Sequence, residues 1–484
     1  MNNNRTGPPP IVYLAAAALL GAGYWGLGQW EGINFGRIHI PSFAELADST
    51  TNPALAIEQQ ISAGERILIQ PEALGAPTIA ELAAAKQQGA LALAAGNFAQ
   101  AVTAFEHART LYRNDPETLI YLNNARIGNT PSYGVAVTVP IGGNTTPFAL
   151  EMLRGFAQAQ HQINQAGGIN GRPLKLWIVD DNDDPARAAE LVPVLADNPD
   201  ILAVMGHWSS GTTLAAAPAY DQHQLVLINP VSTSTDITGI SDYVFRMIPN
   251  NAIVGRTMAD YALTQQSASA VAVFYDSTSA YSESLKTEFA SAVSARGGRM
   301  AGEFDLSIAE FRAGSLVESA IAQGAEALFL VPAPDTVDRA LQLVAANDRQ
   351  LALLGDIGNL YGMKTLEVGR QAAVGMVLPI PWHIDSDPTA AFTQTSRQLW
   401  GADVNWATAL TYDSTQALIQ AVRQAPSRAG IQQVLASSDF TAPGVREPIR
   451  FTPSGDRSAS LQLVDVQASS PSRSGTGYDF VPIP

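Results

Sequence analysis

No cysteine occurs among the 484 residues, which excludes disulfides, thiol catalysis, Cys-bound metals and lipid attachment through a Cys. Histidine is scarce too. The six present are scattered, with no HxxxH or HExxH spacing, so neither a zinc site nor another cofactor is expected. Basic residues are few: 28 Lys and Arg against 44 Asp and Glu leave a formal charge of −16. That sign is wrong for nucleic acid, whose phosphates need Lys and Arg to displace counterions, and it disfavours anionic lipid surfaces. What the chain does have is 46% hydrophobic residues with only 15% charged ones, the profile of a globular protein with Ala-rich helices. Its length calls for two or three folding units.

The first ten residues are polar and carry Arg5, and Ile11 to Trp30 follow without a single charge. Twenty helical residues at ~1.5 Å each span ~30 Å, one hydrocarbon core. Tyr24, Trp25 and Trp30 suit the far interface, and Arg5 holds the near end inside. Residues 1–30 therefore read as a membrane anchor, with a cleaved signal peptide as the alternative; no small-x-small site precedes Trp25. Either reading exports the remainder to the periplasm or an equivalent extracytoplasmic space, and the anchor ties it to the inner (plasma) membrane. Residues 31–78 mix Pro, Ser, Thr and short apolar patches and read as a linker. Over 79–128, Gly89, Gly96, Phe98, Ala101, Phe105 and Ala108 recur at helical spacing. This pattern resembles the tetratricopeptide repeat, in which small residues let two helices cross closely. One and a half repeats are too few for a free-standing solenoid. The segment is either a helical hairpin packed on its neighbour or a surface for a protein partner.

From Tyr133 strands and helices alternate. Strand candidates are Gly134–Val139, Leu174–Val179, Ile201–Met205, Leu225–Ile228, Ala270–Phe274, Ala327–Val331, Leu351–Leu354 and Val374–Leu378. Helical patterns lie between them at Ala149–Ala166, Pro185–Ala196, Ser282–Ala295 and Thr336–Ala346. Such alternation implies parallel sheets covered on both faces, and eight or more strands imply two α/β lobes. Ligands in these folds sit beyond the carboxyl ends of the strands.

The stretch Gly206-His-Trp-Ser-Ser-Gly-Thr-Thr213 lies at such an end, between a short apolar strand and a helical run. A helix start offers unpaired N–H groups and the positive end of the dipole; with hydroxyls added it can receive a carboxylate. The plainer reading is that Ser209 or Ser210 simply caps the helix. Further along, Asn229 to Thr235 supplies hydroxyls and the Val231 carbonyl, while Tyr281, Asp356 and Phe148 also follow strand ends. Anion receptors, one carboxylate and aromatic walls together suit a zwitterion. Asp180 to Asp184 lacks the glycine and the spaced Glu of a calcium loop, so Asp184 reads as a helix cap before Pro185. No G-x-S-x-G elbow surrounds Ser209 or Ser210, and an adjacent His207 in a turn seldom aligns as their base, so no enzyme is expected.

From Tyr133 to Val481 the chain resembles the leucine/isoleucine/valine-binding protein family, the periplasmic solute receptors of amino-acid ABC transporters. The resemblance rests on Ile163-Asn-Gln-Ala-Gly-Gly-Ile-Asn-Gly-Arg-Pro-Leu174, Asp180 to Pro185, Gly206-His207 with Ser210, Pro230 with Ser232 and Ser234, Tyr275-Asp276 with Tyr281, and Phe451 to Asp456. It implies a type I periplasmic-binding fold of two doubly wound lobes. Residues 133–250 with 382–450 would form lobe 1, and 251–381 with 451–484 lobe 2. Three hinge crossings would fall near Pro249–Ala252, Leu378–Trp382 and Arg450–Pro453. It further implies that Ser210 holds the ligand carboxylate, that the Val231 carbonyl and Thr233 meet the amino and carboxylate groups, and that Asp356 meets the ammonium. Phe148, Trp208 and Tyr281 would frame the side chain, with Ser209 beside them. Two departures stand out: Ala333 falls where the family often has Tyr, and Trp208 is bulkier than the usual aliphatic residue. The implied partners are a neutral or branched-chain amino acid and an ABC permease. The alternative is a sensor that passes ligand closure through the helical segment to another protein.

Overall fold

A computed structural model describes residues 57–483. The expected anchor at 11–30 and the first part of the linker lie outside the described residues. No helix among the described residues is long and apolar enough to cross a membrane.

The first sheet has the order β1-β3-β2-β4-β5-β6. Its strands are β1 (Ile61–Ser62), β2 (Tyr133–Val139), β3 (Leu174–Asp180), β4 (Ile201–Gly206), β5 (Val226–Asn229) and β6 (Val244–Arg246). All neighbours are parallel except β1, which pairs antiparallel with β3 through Ile61–Val179 and Ser62–Ile178. The second sheet runs β13-β12-β11-β10-β9-β7-β8. Its strands are β7 (Ala270–Tyr275), β8 (Arg299–Asp305), β9 (Ala327–Val331), β10 (Ala352–Gly355), β11 (Val377–Ile380), β12 (Gln462–Ala468) and β13 (Tyr478–Pro482). Here β12 and β13 are antiparallel additions to a parallel set. Both sheets are thus mixed, which corrects the expectation of purely parallel ones. Only β13 returns beside its partner β12 through a short connection, which requires the antiparallel sense; β1 and β12 reach their sheet edges from distant parts of the chain.

Every residue of β2 and of β9 is buried, as strands covered on both faces require. The chain passes between the sheets three times: after Arg246, after Ile380 and before Gln462. The third passage comes later than expected. Asp456 bridges to Arg246 at the end of β6, and the buried Arg457 pairs with Asp413 at 2.8 Å, so residues up to 457 stay with the first sheet.

The N-terminal part is a fixed extension of the first lobe. Helices α1 (Ile79–Ala94) and α2 (Phe98–Leu111) pack so closely that a Cβ on Gly89 would lie 2.5 Å from the Phe105 ring. Helix α3 (Pro116–Ile127) buries all of its twelve residues except Arg126. Its Asn124 amide reaches Leu176 of β3 at 2.7 Å and Ala63 at 2.8 Å, tying three pieces of chain together. Beneath α1, fully buried Lys86 meets Asp115 at 2.7 Å and Glu117 at 2.8 Å, and donates to the Ile69 carbonyl at 3.2 Å. Residues 57–78, read as part of a linker, are largely built into this unit: β1 joins the sheet, and Ile69 has no exposed surface. The third helix serves lobe 1 instead of continuing a stack of helical pairs.

Candidate ligand-binding site

Between the lobes lies a small cavity of about 40 Å³. Its lining comes from segments that follow strand ends in both sheets. The first lobe contributes Trp208 to Ser210 after β4 and Val231 to Thr233 after β5. The second contributes Ser279 and Tyr281 after β7, Pro334 after β9 and Ile357 to Asn359 after β10. In the first sheet the strand order reverses about β2, and the loop after its neighbour β4 is where such a reversal opens a crevice.

The turn after β4 is held by a dense network. Gly206 has φ +138°, and a Cβ there would sit 2.2 Å from the Thr138 carbonyl oxygen, so only glycine fits. His207 is buried; its Nδ1 lies 2.7 Å from Asp181 and its Nε2 2.9 Å from the Tyr220 hydroxyl. Both ring nitrogens are engaged away from the serines. Asn229 joins the two loops of lobe 1. Its Nδ2 donates to the Gly206 carbonyl at 2.8 Å, and its Oδ1 accepts from the N–H groups of Ser232 (2.7 Å) and Val231 (3.1 Å).

Helix α4 (Thr146–Gln165) follows β2, α5 (Pro185–Asp197) follows β3, and α6 (Ser210–Gln222) follows β4. Asp184 caps α5 by accepting from the N–H groups of Ala186 and Arg187. Ser209 is the cap of α6, its Oγ accepting from Thr212 N–H at 3.2 Å. Ser210, the first helical residue, is 1% exposed. Its Oγ accepts from Ser234 N–H at 3.1 Å, so the hydroxyl proton stays free to donate. Its own N–H belongs to the first turn and has no helical partner. Across the same wall the Thr233 Oγ1 is buried and has no hydrogen-bond partner. Among the described residues no hydrogen bond ends on the Val231 carbonyl or starts from the Thr233 N–H. One wall therefore carries several unspent donors and one unspent carbonyl around a helix start.

Six of the eight expected residues line this cavity: Trp208, Ser209, Ser210, Val231, Thr233 and Tyr281. Phe148 does not. It stacks on Trp208 with ring centroids 4.2 Å apart and planes 14° from parallel, acting as backing for that wall. Asp356, expected to meet the ammonium, is not among the lining residues either. It has no exposed surface. Its carboxylate accepts from the N–H groups of Leu360 (2.8 Å), Asn359 (2.9 Å) and Gly358 (3.3 Å) and from the Tyr281 hydroxyl (2.7 Å). Burial pushes its pKa up, opposed by those hydrogen bonds. A carboxylate at the end of a strand can fold its own loop around itself, and here it does.

Sequence reasoning missed Trp406, Ile357, Gly358, Asn359, Ser279 and Pro334. Trp406 opens helix α12 (Trp406–Gln424), which follows α7 (Asn251–Asp260), α8 (Ala280–Ala295), α9 (Ala313–Ala322), α10 (Val337–Asn347) and α11 (Ala391–Trp400) in the chain. It extends the aromatic wall, lying 6.3 Å from Trp208 between ring centroids. Its only sequence signal was a helix start just after the second passage between lobes.

A family model described as "Periplasmic binding protein" matches residues 132–471, well over half the chain. An "Amino acid binding protein" of Pseudomonas aeruginosa is 35% identical over 144 residues, 29% of this chain and 38% of that protein. The "Leucine-, isoleucine-, valine-, threonine-, and alanine-binding protein" of the same organism is 28% identical over 168 residues, 34% of this chain and 44% of the relative. The chain thus spans less than half the length of these curated relatives. A branched-chain amino acid substrate-binding protein of Streptococcus pneumoniae, solved with isoleucine, is 18% identical. The structural match covers 73% of this chain and all of that one, at a TM-score of 0.63. Two α/β lobes joined by three passages, a cavity at their facing strand ends and the extent of the family match agree: the chain belongs to the periplasmic binding protein family.

Proposed function

We propose that the chain is an extracytoplasmic receptor for amino acids, neutral or branched-chain, that hands its guest to an ABC importer. One observation carries this reading. The cavity wall of lobe 1 presents the Ser210 helix start, the unpaired Thr233 hydroxyl and N–H, and the free Val231 carbonyl side by side. That set matches a carboxylate with an adjacent amino group, and the names of the relatives above are consistent with it. The three passages between sheets act as hinges, so a guest held by both lobes favours closure. Trp208, Trp406 and Tyr281 frame the side chain. The reading assigns no chemistry to the site. Thermal-shift measurements on the purified full chain against the twenty amino acids, with calorimetry on the hits, provide the test. Micromolar or tighter binding is expected; no response to any of them refutes the proposal.

A second reading, a sensor, draws on the helical extension. The turn between α2 and α3 connects through Asn114 to Arg154 (2.8 Å), which pairs with Glu151 at 2.5 Å, beside a second space between the lobes. A solute carrier alone has no use for this device. Removing residues 79–128 would strip α3 from the first sheet, so a surface substitution is the cleaner probe. Leu91 is 55% exposed on α1. Under the sensor reading Leu91→Glu abolishes a ligand-dependent partner response and leaves uptake intact. Under the transport reading it changes neither.

A further inference from the structure

Asp356 builds the loop after β10, and what that loop presents is Asn359. The amide of Asn359 is anchored at its nitrogen end: Nδ2 donates to the Pro332 carbonyl at 2.8 Å and lies 3.4 Å from the Asp356 carboxylate. Both neighbours are acceptors only. Exchanging the amide's oxygen and nitrogen would set Oδ1 against two oxygens, so the assignment of its two ends is fixed by its surroundings. The other end, Oδ1, is buried and has no partner. Asn359 lines the cavity, and so does Thr233 from the opposite lobe, whose Oγ1 is also buried without a partner. Native interiors leave few polar atoms in this condition, and each one calls for an explanation. Two of them in facing walls of one cavity share an explanation: a guest with hydrogens to donate.

We propose that Asn359 is the second-lobe acceptor for the ligand's N–H group, so that the amino nitrogen is shared between Asn359 and the Val231–Thr233 edge of lobe 1. Asp356 is then a positioning residue, which holds the loop and lends its charge from behind. This assignment rests on the amino-acid reading and makes it more specific: an acceptor from each lobe selects solutes by their N–H donors. Carboxylic acids of the same shape but without nitrogen leave Asn359 unsatisfied and are rejected.

Two substitutions separate this role from a structural one. Asn359→Leu keeps the volume without an acceptor, whereas Asn359→Asp keeps an acceptor in place. Each variant and the native full chain are titrated by calorimetry with leucine and with 4-methylpentanoate, which has the same skeleton and carboxylate but no nitrogen. The twenty amino acids are screened alongside, and melting temperatures are recorded. Expected results are at least tenfold weaker leucine binding by Asn359→Leu, leucine binding by Asn359→Asp within about threefold of native, and 4-methylpentanoate weak on all three proteins. Equal leucine affinity in native and Asn359→Leu protein overturns the assignment alone, and so does an equal loss in both variants. A native protein that binds none of the amino acids overturns the receptor reading, and this assignment with it.

Discussion

Replacing Thr233 by Val deletes one hydroxyl and keeps nearly the same shape, and its two consequences have opposite signs. Thr233 Oγ1 is buried and unpaired between the lobes. An unpaired buried hydroxyl costs about 1–3 kcal/mol by mutational data, so its removal stabilises the empty closed protein. A chain of this size changes its melting temperature by about 1–2 °C per kcal/mol, so the ligand-free variant should melt higher by up to about 6 °C, the gain being smaller in proportion to the share of empty protein that is open and hydrates the hydroxyl. With the guest present the same hydroxyl makes a charge-assisted hydrogen bond of about 1.5–3 kcal/mol. Its loss should weaken leucine binding about 10- to 150-fold. Calorimetry and scanning fluorimetry on the same preparation read both. A variant that melts lower than native protein while binding leucine unchanged would refute the claim that this hydroxyl waits for a ligand.

Ser210→Ala should cost less, about 1 kcal/mol or roughly fivefold in leucine affinity, because the first-turn N–H stays in place; complete loss of binding would show that the helix start is not enough. Lys86→Ala leaves the buried carboxylates of Asp115 and Glu117 without their cation and should destabilise the chain by about 3–5 kcal/mol in urea, with leucine affinity of the folded fraction unchanged; a stability loss below 1 kcal/mol contradicts the ion-triad account. Burial pushes the carboxyls of Asp180 and Asp183 each up to about 6. Because these values exceed the unfolded ~3.8, the folded chain binds protons more tightly in between. This contribution makes stability fall as pH rises from about 4 to 6 and level off above that, and Asp183→Asn should flatten the slope in pH-dependent melting curves.

The alternation of short apolar runs with helical spacing gave away the lobes because parallel strands must be buried on both faces. Ala327–Val331 falls where the pattern puts it, and most other strands lie within a residue or two. The elements that escaped are those without that signature. The edge strand Arg299–Asp305 has exposed or half-buried residues at all but one position, and β12 alternates polar and apolar residues as a partly covered strand does. The hydroxyl-rich wall of lobe 1 was legible because helix-start chemistry is local: a few hydroxyls beside a turn glycine announce it. Asp356 shows the limit. Its place after a strand was visible, but whether a carboxylate faces a cavity or folds inward depends on the three N–H groups that follow it, and backbone direction is not written in residue type. Asn359 was hidden for the same reason, being defined by where its other amide end is tied.

The unpaired atoms of Thr233 and Asn359 also bear on closure itself. With the lobes together and no guest, both are cut off from water; opening hydrates them, and a guest satisfies them. If each costs about 1–2 kcal/mol when left buried, the empty protein is biased towards the open form by roughly 2–4 kcal/mol, about 30- to 1000-fold. On the proposed reading, the atoms that would meet the ligand also keep the empty protein open. Removing both at once, in Thr233→Val with Asn359→Leu, takes away that penalty. The double variant should be compact without ligand, with a small-angle scattering radius of gyration equal to that of native protein saturated with leucine. If the ligand-free double variant keeps the larger radius of the empty native protein, then contacts elsewhere, and not these two buried atoms, hold the lobes apart.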